Sequence, residues 1–118
     1  MHAIHNLFAE SNASPDEVYE TLCASGDIKI QKIVSWGQSS PVDFWYEQLE
    51  GEWVTVLEGE ARLTLQAPDE TVLLKRGDHL WIAPGRKHRV DWTLPESATV
   101  WLAVFVNNTS AIQSLSAP

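Results

Sequence analysis

From Asp27 onward the chain is a succession of short runs rich in β-branched and aromatic residues, each closed by a turn signal, with no helical period between them. The runs are "DIKIQKIVSW", "FWYEQ", "EWVTVLEG", "EARLTLQ", "TVLLK", "HLWIA", "HRVDWT" and "ATVWLAVFV". The breaks are Glu58-Gly59, "APDE", "RGD", "PGRK" and "LPES". Strands this short bury their apolar sides only by stacking on other strands. Roughly eight of them in sequence, with turns at short intervals, point to an all-β antiparallel sandwich or barrel. At 118 residues the chain has room for one such domain.

Before Asp27 the pattern is different. "SPDEVYETL" reads as one short helix from Ser14 to Leu22. Ser14 is a suitable N-cap, Pro15 fits the first turn, and Asp16 and Glu17 suit the positive end of the dipole. Val18 and Leu22 would share a face, and Gly26 would end the element. The expected organisation is an N-terminal arm and helix over 1–27, a β-barrel over 28–106 and a flexible tail over 107–118.

The net charge of -8 argues against a nucleic-acid footprint. No Lys or Arg falls between Ile33 and Ala61, while Lys75, Arg76, Arg86, Lys87 and Arg89 cluster near "GDHLWIAPGRKHRVDW". This reads either as two solvated faces of opposite sign or as a basic rim that steers an anionic ligand inward. Cys23 is the single cysteine, so no intrachain disulfide forms and a reducing, cytoplasmic setting is expected. "MHAIHNLFAE" has neither the basic start nor the apolar run of a signal peptide, and no membrane partner is expected. "EWVTVLEG" is apolar on both faces beyond Glu52, which suits a strand covered on each side and leads us to expect a homodimer.

Two side chains attract chemical interest. Side chains alternate along a strand, so an inward His88 takes Val90 and Trp92 with it and sends Arg89 and Asp91 outward. By the same rule Glu52 shares a face with Val54 and Val56. Glu52 and His88 each open a strand that is otherwise apolar on its inner side. They converge either as a hydrogen-bonded pair or as ligands of a shared metal ion. His79 falls on the opposite face from Ile82, and His2 and His5 lie in an extended arm.

The spacing resembles a known family. Glu52 followed by Gly59 is similar to the end of the first cupin motif, and Gly77 followed by His88 is similar to the second, with Ala83-Pro84-Gly85 in place of the family's Pro-x-Gly. The resemblance covers about residues 28–106. "IVSWGQSS", "FWYEQ", "EWVTVLEGEARL", "HRVDWT" and "VWLAVF" further resemble a group of small bacterial cupins of unassigned activity. Such membership implies a jelly-roll barrel, a double-stranded β-helix, usually with a divalent metal inside held by three histidines and a glutamate. The family's His-x-His is missing from "DFWYEQLEGE". One register puts Trp45 and Glu47 at those positions, the other Tyr46 and Gln48.

The resemblance therefore implies a divalent ion, Zn, Fe or Mn, on Glu52, His88 and either Glu47 or Gln48. Tyr46 or an unliganded Glu47 would then move a proton for a small polar or carboxylate substrate. Trp92, Arg89 and Arg62 are the expected ligand-binding residues, with Arg86 and Lys87 at the rim. The alternative is a metal-free binding or sensor module, in which the same carboxylates, Gln48 and His88 form a hydrogen-bonded cluster compensated by Arg62 or the 86–89 loop.

Overall fold

The computed structural model describes residues 4–9 and 13–107. These residues form eight strands and no helix: β1 (Val18–Ser25), β2 (Ile28–Ser35), β3 (Gly51–Glu58), β4 (Glu60–Leu65), β5 (Glu70–Lys75), β6 (His79–Ile82), β7 (His88–Thr93) and β8 (Thr99–Val106). They build two antiparallel sheets, a five-stranded one in the order β1-β2-β8-β3-β6 and a three-stranded one in the order β5-β4-β7. The hydrogen-bond ladder does not close into a barrel. No helix among the described residues is long and apolar enough to cross a membrane.

The core lies between the sheets, where alternation from both sides converges. Val54 and Val56 of β3, Ala61, Leu63 and Leu65 of β4, and Ala103 of β8 are all at most 2% exposed. Burying each larger aliphatic side chain contributes roughly 1.5–3 kcal/mol, so these positions supply much of the cohesion. Glu58-Gly59 does not close a hairpin: β3 and β4 lie in different sheets, and the chain crosses between them at Gly59, whose φ is +89°. A Cβ there would stand 2.5 Å from Thr99 Oγ1, 2.7 Å from Thr99 Cα and 2.8 Å from the Ala98 carbonyl oxygen. Only glycine supplies both the left-handed backbone and that close approach.

The helix expected over 14–22 is not formed. Ser14 Oγ does accept a hydrogen bond from the Asp16 amide at 3.2 Å, as a cap would, but the chain then extends. Val18, Tyr19, Thr21 and Cys23 favour a pleated surface, and β1 pairs along β2 from Val18↔Val34 to Ser25↔Ile28. Gly26, at φ +55°, is the first residue of a two-residue hairpin turn rather than a helix stop. That is the position where such a turn takes glycine. The helical i, i+4 pair would have buried Val18 and Leu22 alone. The strand instead gains a ladder along β2, broken only by a bulge at Leu22, and carries Tyr19 to the cavity.

Two further expectations change. "FWYEQ" is not a strand, and its only ladder contact is an isolated bridge between Tyr46 and His88. Trp92 does not share the inner face with His88 and Val90. The register of β7 on β4 runs Leu65↔His88, Leu63↔Val90, then Arg62↔Trp92 and Ala61↔Thr93. The bulge inserts one residue at Asp91 and reverses the alternation, so Thr93 goes inward, at 1% exposure, and Trp92 goes outward beside Arg62.

The free edge of β7 is covered by the segment leading to β3. Ser40 N–H donates to the Val90 carbonyl at 2.8 Å, and Tyr46 and His88 exchange backbone hydrogen bonds of 2.8 and 3.0 Å. Thr93 Oγ1 donates to the Gln38 carbonyl at 2.6 Å. An edge covered this way does not recruit another strand, and the covering segment delivers residues 46 and 48 to the mouth of the sandwich. Of the flexible tail expected over 107–118, Asn107 donates its N–H to the Asp27 carbonyl at 2.8 Å, and 108–118 lie outside the described residues.

Candidate functional site

A cavity of about 240 Å3 opens between the sheets. Its apolar wall comes from strand interiors, including Ile33, Val54, Leu63, Val90 and Phe105. Its polar wall includes Glu17, Tyr19, Gln31, Tyr46, Gln48, Glu52 and His88, which come from five separate stretches of chain. Glu52 and His88, 36 residues apart in sequence, meet here because β3 and β7 belong to opposite sheets and both begin at this end.

His88 is 5% exposed and Glu52 9%. His88 Nδ1 lies 3.0 Å from the Arg86 carbonyl oxygen. A carbonyl only accepts, so Nδ1 carries a proton, and Nε2 faces Glu52 Oε1 at 3.6 Å, an approach that favours the doubly protonated ring. Burial pulls the His88 pKa down. The nearby Glu52 carboxylate and the Arg86 carbonyl outweigh burial and the opposing Arg86 charge, so the net shift is upward from 6.5. Gln48 Nε2 donates to the same Glu52 Oε1 at 3.3 Å. The Gln48 carbonyl accepts from Gly85 N–H at 2.7 Å, tying this residue to the Pro84-Gly85 loop.

Of the two registers open in "DFWYEQLEGE", the structure adopts the one with Tyr46 and Gln48 inward. The bridge to His88 sets it: Tyr46 stacks on the imidazole with centroids 5.5 Å apart and planes at 22°, and Phe44 meets Tyr46 edge-on at 4.8 Å. Trp45 and Glu47, out of phase, point away, and Glu47 is exposed. As a metal ligand or proton carrier Glu47 is thereby displaced from the site. Tyr46 has its pKa raised, chiefly by burial, with the charges of Glu17 and Glu52 adding to the rise and the neighbouring Tyr19 opposing it.

The basic residues are spent elsewhere. Arg86 donates from Nε to the Gln66 carbonyl at 3.0 Å, and from one terminal nitrogen to the Pro68 carbonyl at 2.7 Å and to Glu70 at 3.0 Å. Arg89 pairs with Asp91 at 2.9 Å and donates to the Ser40 and Pro41 carbonyls, each at 3.2 Å. It therefore pins the segment that carries Tyr46 and does not reach a ligand. Arg62 is exposed on the outer face of β4, with Trp92 opposite it in register. None of Arg62, Arg89 and Trp92 lines the cavity, and no Lys or Arg does. His79, exposed, accepts from Trp53 Nε1 at 3.2 Å on the outer surface. His5 is exposed, and His2 lies outside the described residues.

Glu17 and Tyr19 escaped the sequence reading because they were assigned to a helix. Tyr19 O–H donates to Glu17 Oε1 at 2.8 Å, and Ser35 Oγ donates to Glu17 Oε2. Trp101 Nε1 donates in turn to Ser35 Oγ at 3.0 Å. Burial and then the Glu17 hydrogen bond push the Tyr19 phenol upward. The signal that could have found them was "SGD" between two alternating β-rich runs, a two-residue hairpin signature.

A divalent ion needs three or four protein donors whose lone pairs converge. Here Glu52 and His88 supply two. The third neighbour, Gln48, turns its N–H toward the carboxylate, and flipping the amide would set oxygen against oxygen. Among the described residues no group of three or more His, Cys, Asp or Glu could hold a metal ion. This donor set does not fit the expected Zn, Fe or Mn.

The cupin-domain family pattern matches residues 36–105. The chain belongs to the cupin family. A protein of Ralstonia eutropha JMP134, provisionally described as a mannose-6-phosphate isomerase, is similar over 89% of this chain and 98% of its own, with 37% identity and a TM-score of 0.85. A cupin superfamily protein of Desulfitobacterium hafniense DCB-2 shares the fold at a TM-score of 0.71 and 16% identity over 86% of this chain and 87% of its own. A conserved Streptococcus pyogenes protein of unknown function does so at 0.71 and 22%, over 92% and 90%. No curated protein matches the sequence.

Proposed function

We propose that this chain is a metal-independent cupin that binds a small organic molecule between its sheets, with the Glu52–His88 pair as the polar anchor. One observation carries the reading: the two residues at the family's ligand positions are turned on each other, with a neutral amide as the third member. A carboxylate and an imidazole so paired accept and donate hydrogen bonds to a polar group and can exchange a proton with it. The apolar wall shields the rest of the ligand, and the cavity, a little below the usual range of roughly 300–1,000 Å3, limits it to a compact molecule.

Sugar-phosphate isomerisation, suggested by the description of the Ralstonia eutropha protein, finds less support. A phosphate needs cationic or N–H donors, and neither Arg nor Lys lines this cavity. Metal analysis of untagged protein as purified, and calorimetry on the same protein after chelator treatment, test the proposal. Small-molecule binding that persists without metal and is lost in Glu52→Ala supports it. Stoichiometric Zn, Fe or Mn that vanishes in Glu52→Ala and His88→Ala would overturn it.

A further inference from the structure

The cavity wall combines two features that select for charge. It carries two carboxylates, Glu17 on the β1 side and Glu52 on β3, with no Lys or Arg among the lining residues. Tyr19, Tyr46, Trp101 and Phe105 also line it. Aromatic faces are electronegative and attract cations, more strongly where water is excluded. Phe105 already holds Lys29 Nζ 4.8 Å from its centroid, which leaves Tyr19, Tyr46 and Trp101 as the rings for a ligand. Resting on the binding role proposed above, we infer that the cavity selects small organic cations, amines with a compact apolar body, over neutral or anionic molecules of the same shape.

The hydrogen bonding leaves room for such a ligand. A carboxylate has about four acceptor positions. Glu52 Oε1 faces Gln48 and His88, while Oε2 takes no hydrogen bond from the described residues. Glu17 receives Tyr19 and Ser35 on its two oxygens, which fixes the carboxylate in place and keeps acceptor capacity on each. The arginines that could have neutralised the pair are held on the outside by Glu70, Asp91 and loop carbonyls. The chain's overall charge of -8 adds a long-range field of the same sign.

Three probes of one skeleton separate charge from shape: benzylamine, benzyl alcohol and benzoate, titrated into chelator-treated protein and followed by amide chemical shifts and calorimetry. Benzylamine should bind at least about tenfold more tightly than benzyl alcohol, benzoate should not bind, and the amine's affinity alone should fall as sodium chloride is raised. Glu52→Gln should bring the amine level with the alcohol. Glu17→Gln, at the rim, should move it the same way by a smaller factor, and serves if Glu52→Gln fails to fold. Equal or tighter binding of the alcohol or of benzoate overturns the charge selection but leaves small-molecule binding intact. Silence from all three probes at the cavity residues overturns both.

Discussion

The two walls of the cavity come from parts of the chain with different characters. Residues 36–105 match the cupin domain and contribute Gln48, Glu52 and His88. The β1–β2 hairpin, wholly outside that match, contributes Tyr19, Gln31 and Ile33, with Glu17 just before it. The first wall is anchored by β3, paired on both sides, and by β7, whose outer edge is covered by the segment before β3. In the second, β1 is an edge strand exposed along its whole length. The difference teaches that an exposed edge can carry part of the site's chemistry: the Glu52–His88 pair sits on the rigid wall, and the second carboxylate sits just before the edge strand.

Substitutions can break or sharpen this contrast. The largest effect is expected from Gly59→Ala in the rigid wall, which combines a left-handed backbone with collision against Thr99. The loss should be about 4 kcal/mol, read as a collapse of the urea midpoint. His88→Ala follows, at about 3 kcal/mol, since it leaves the Glu52 carboxylate buried without its partner. In the hairpin, Gly26→Ala has the same sign of φ but nothing within 4 Å of the added Cβ, so about 1 kcal/mol is expected. A Gly26→Ala loss as large as that of Gly59→Ala would show that the hairpin is integral to the core, and the contrast would fail. Glu17→Gln should cost less than about 1 kcal/mol by thermal melting, although it weakens amine binding.

The smallest effect is pH dependence. The His88 pKa is raised in the folded protein above 6.5, so the native state holds this proton more tightly than the unfolded chain. Its stabilisation is complete below 6.5 and is lost as pH rises through the native value. Melting curves between pH 6 and 8.5 should show a shallow fall in Tm with rising pH that His88→Asn flattens. A slope that survives in His88→Asn would assign the effect to other groups.

Much of the rigid wall was legible in the residues. Val54, Val56, Leu63 and Leu65 alternate cleanly, Gly59 marks a turn only glycine can make, and the spacing to Glu52 and His88 pointed to the family before any coordinate. The hairpin was harder to read. Ser14, Pro15 and Asp16 carry helix-start chemistry, and Ser14 even makes the local bond, yet pairing with β2 outweighed a two-residue apolar stripe. Trp92 was misplaced because one extra residue at Asp91 inverts everything after it, and a bulge has no reliable signature in a strand of six residues. Arg89 carried the right charge for a ligand, but the carbonyls of Ser40 and Pro41 that capture it are nearly fifty positions away.

Local sequence determined the all-β character, the turns and the inward faces of β3, β4 and β8, because alternation and glycine conformation act over a few residues. Tertiary structure alone decided that Gln48 and not Glu47 faces Glu52, that Glu17 and Tyr19 join the cavity, and that every nearby arginine is turned outward. Those outcomes depend on register between strands far apart in the chain, and a shift of one residue exchanges the two faces.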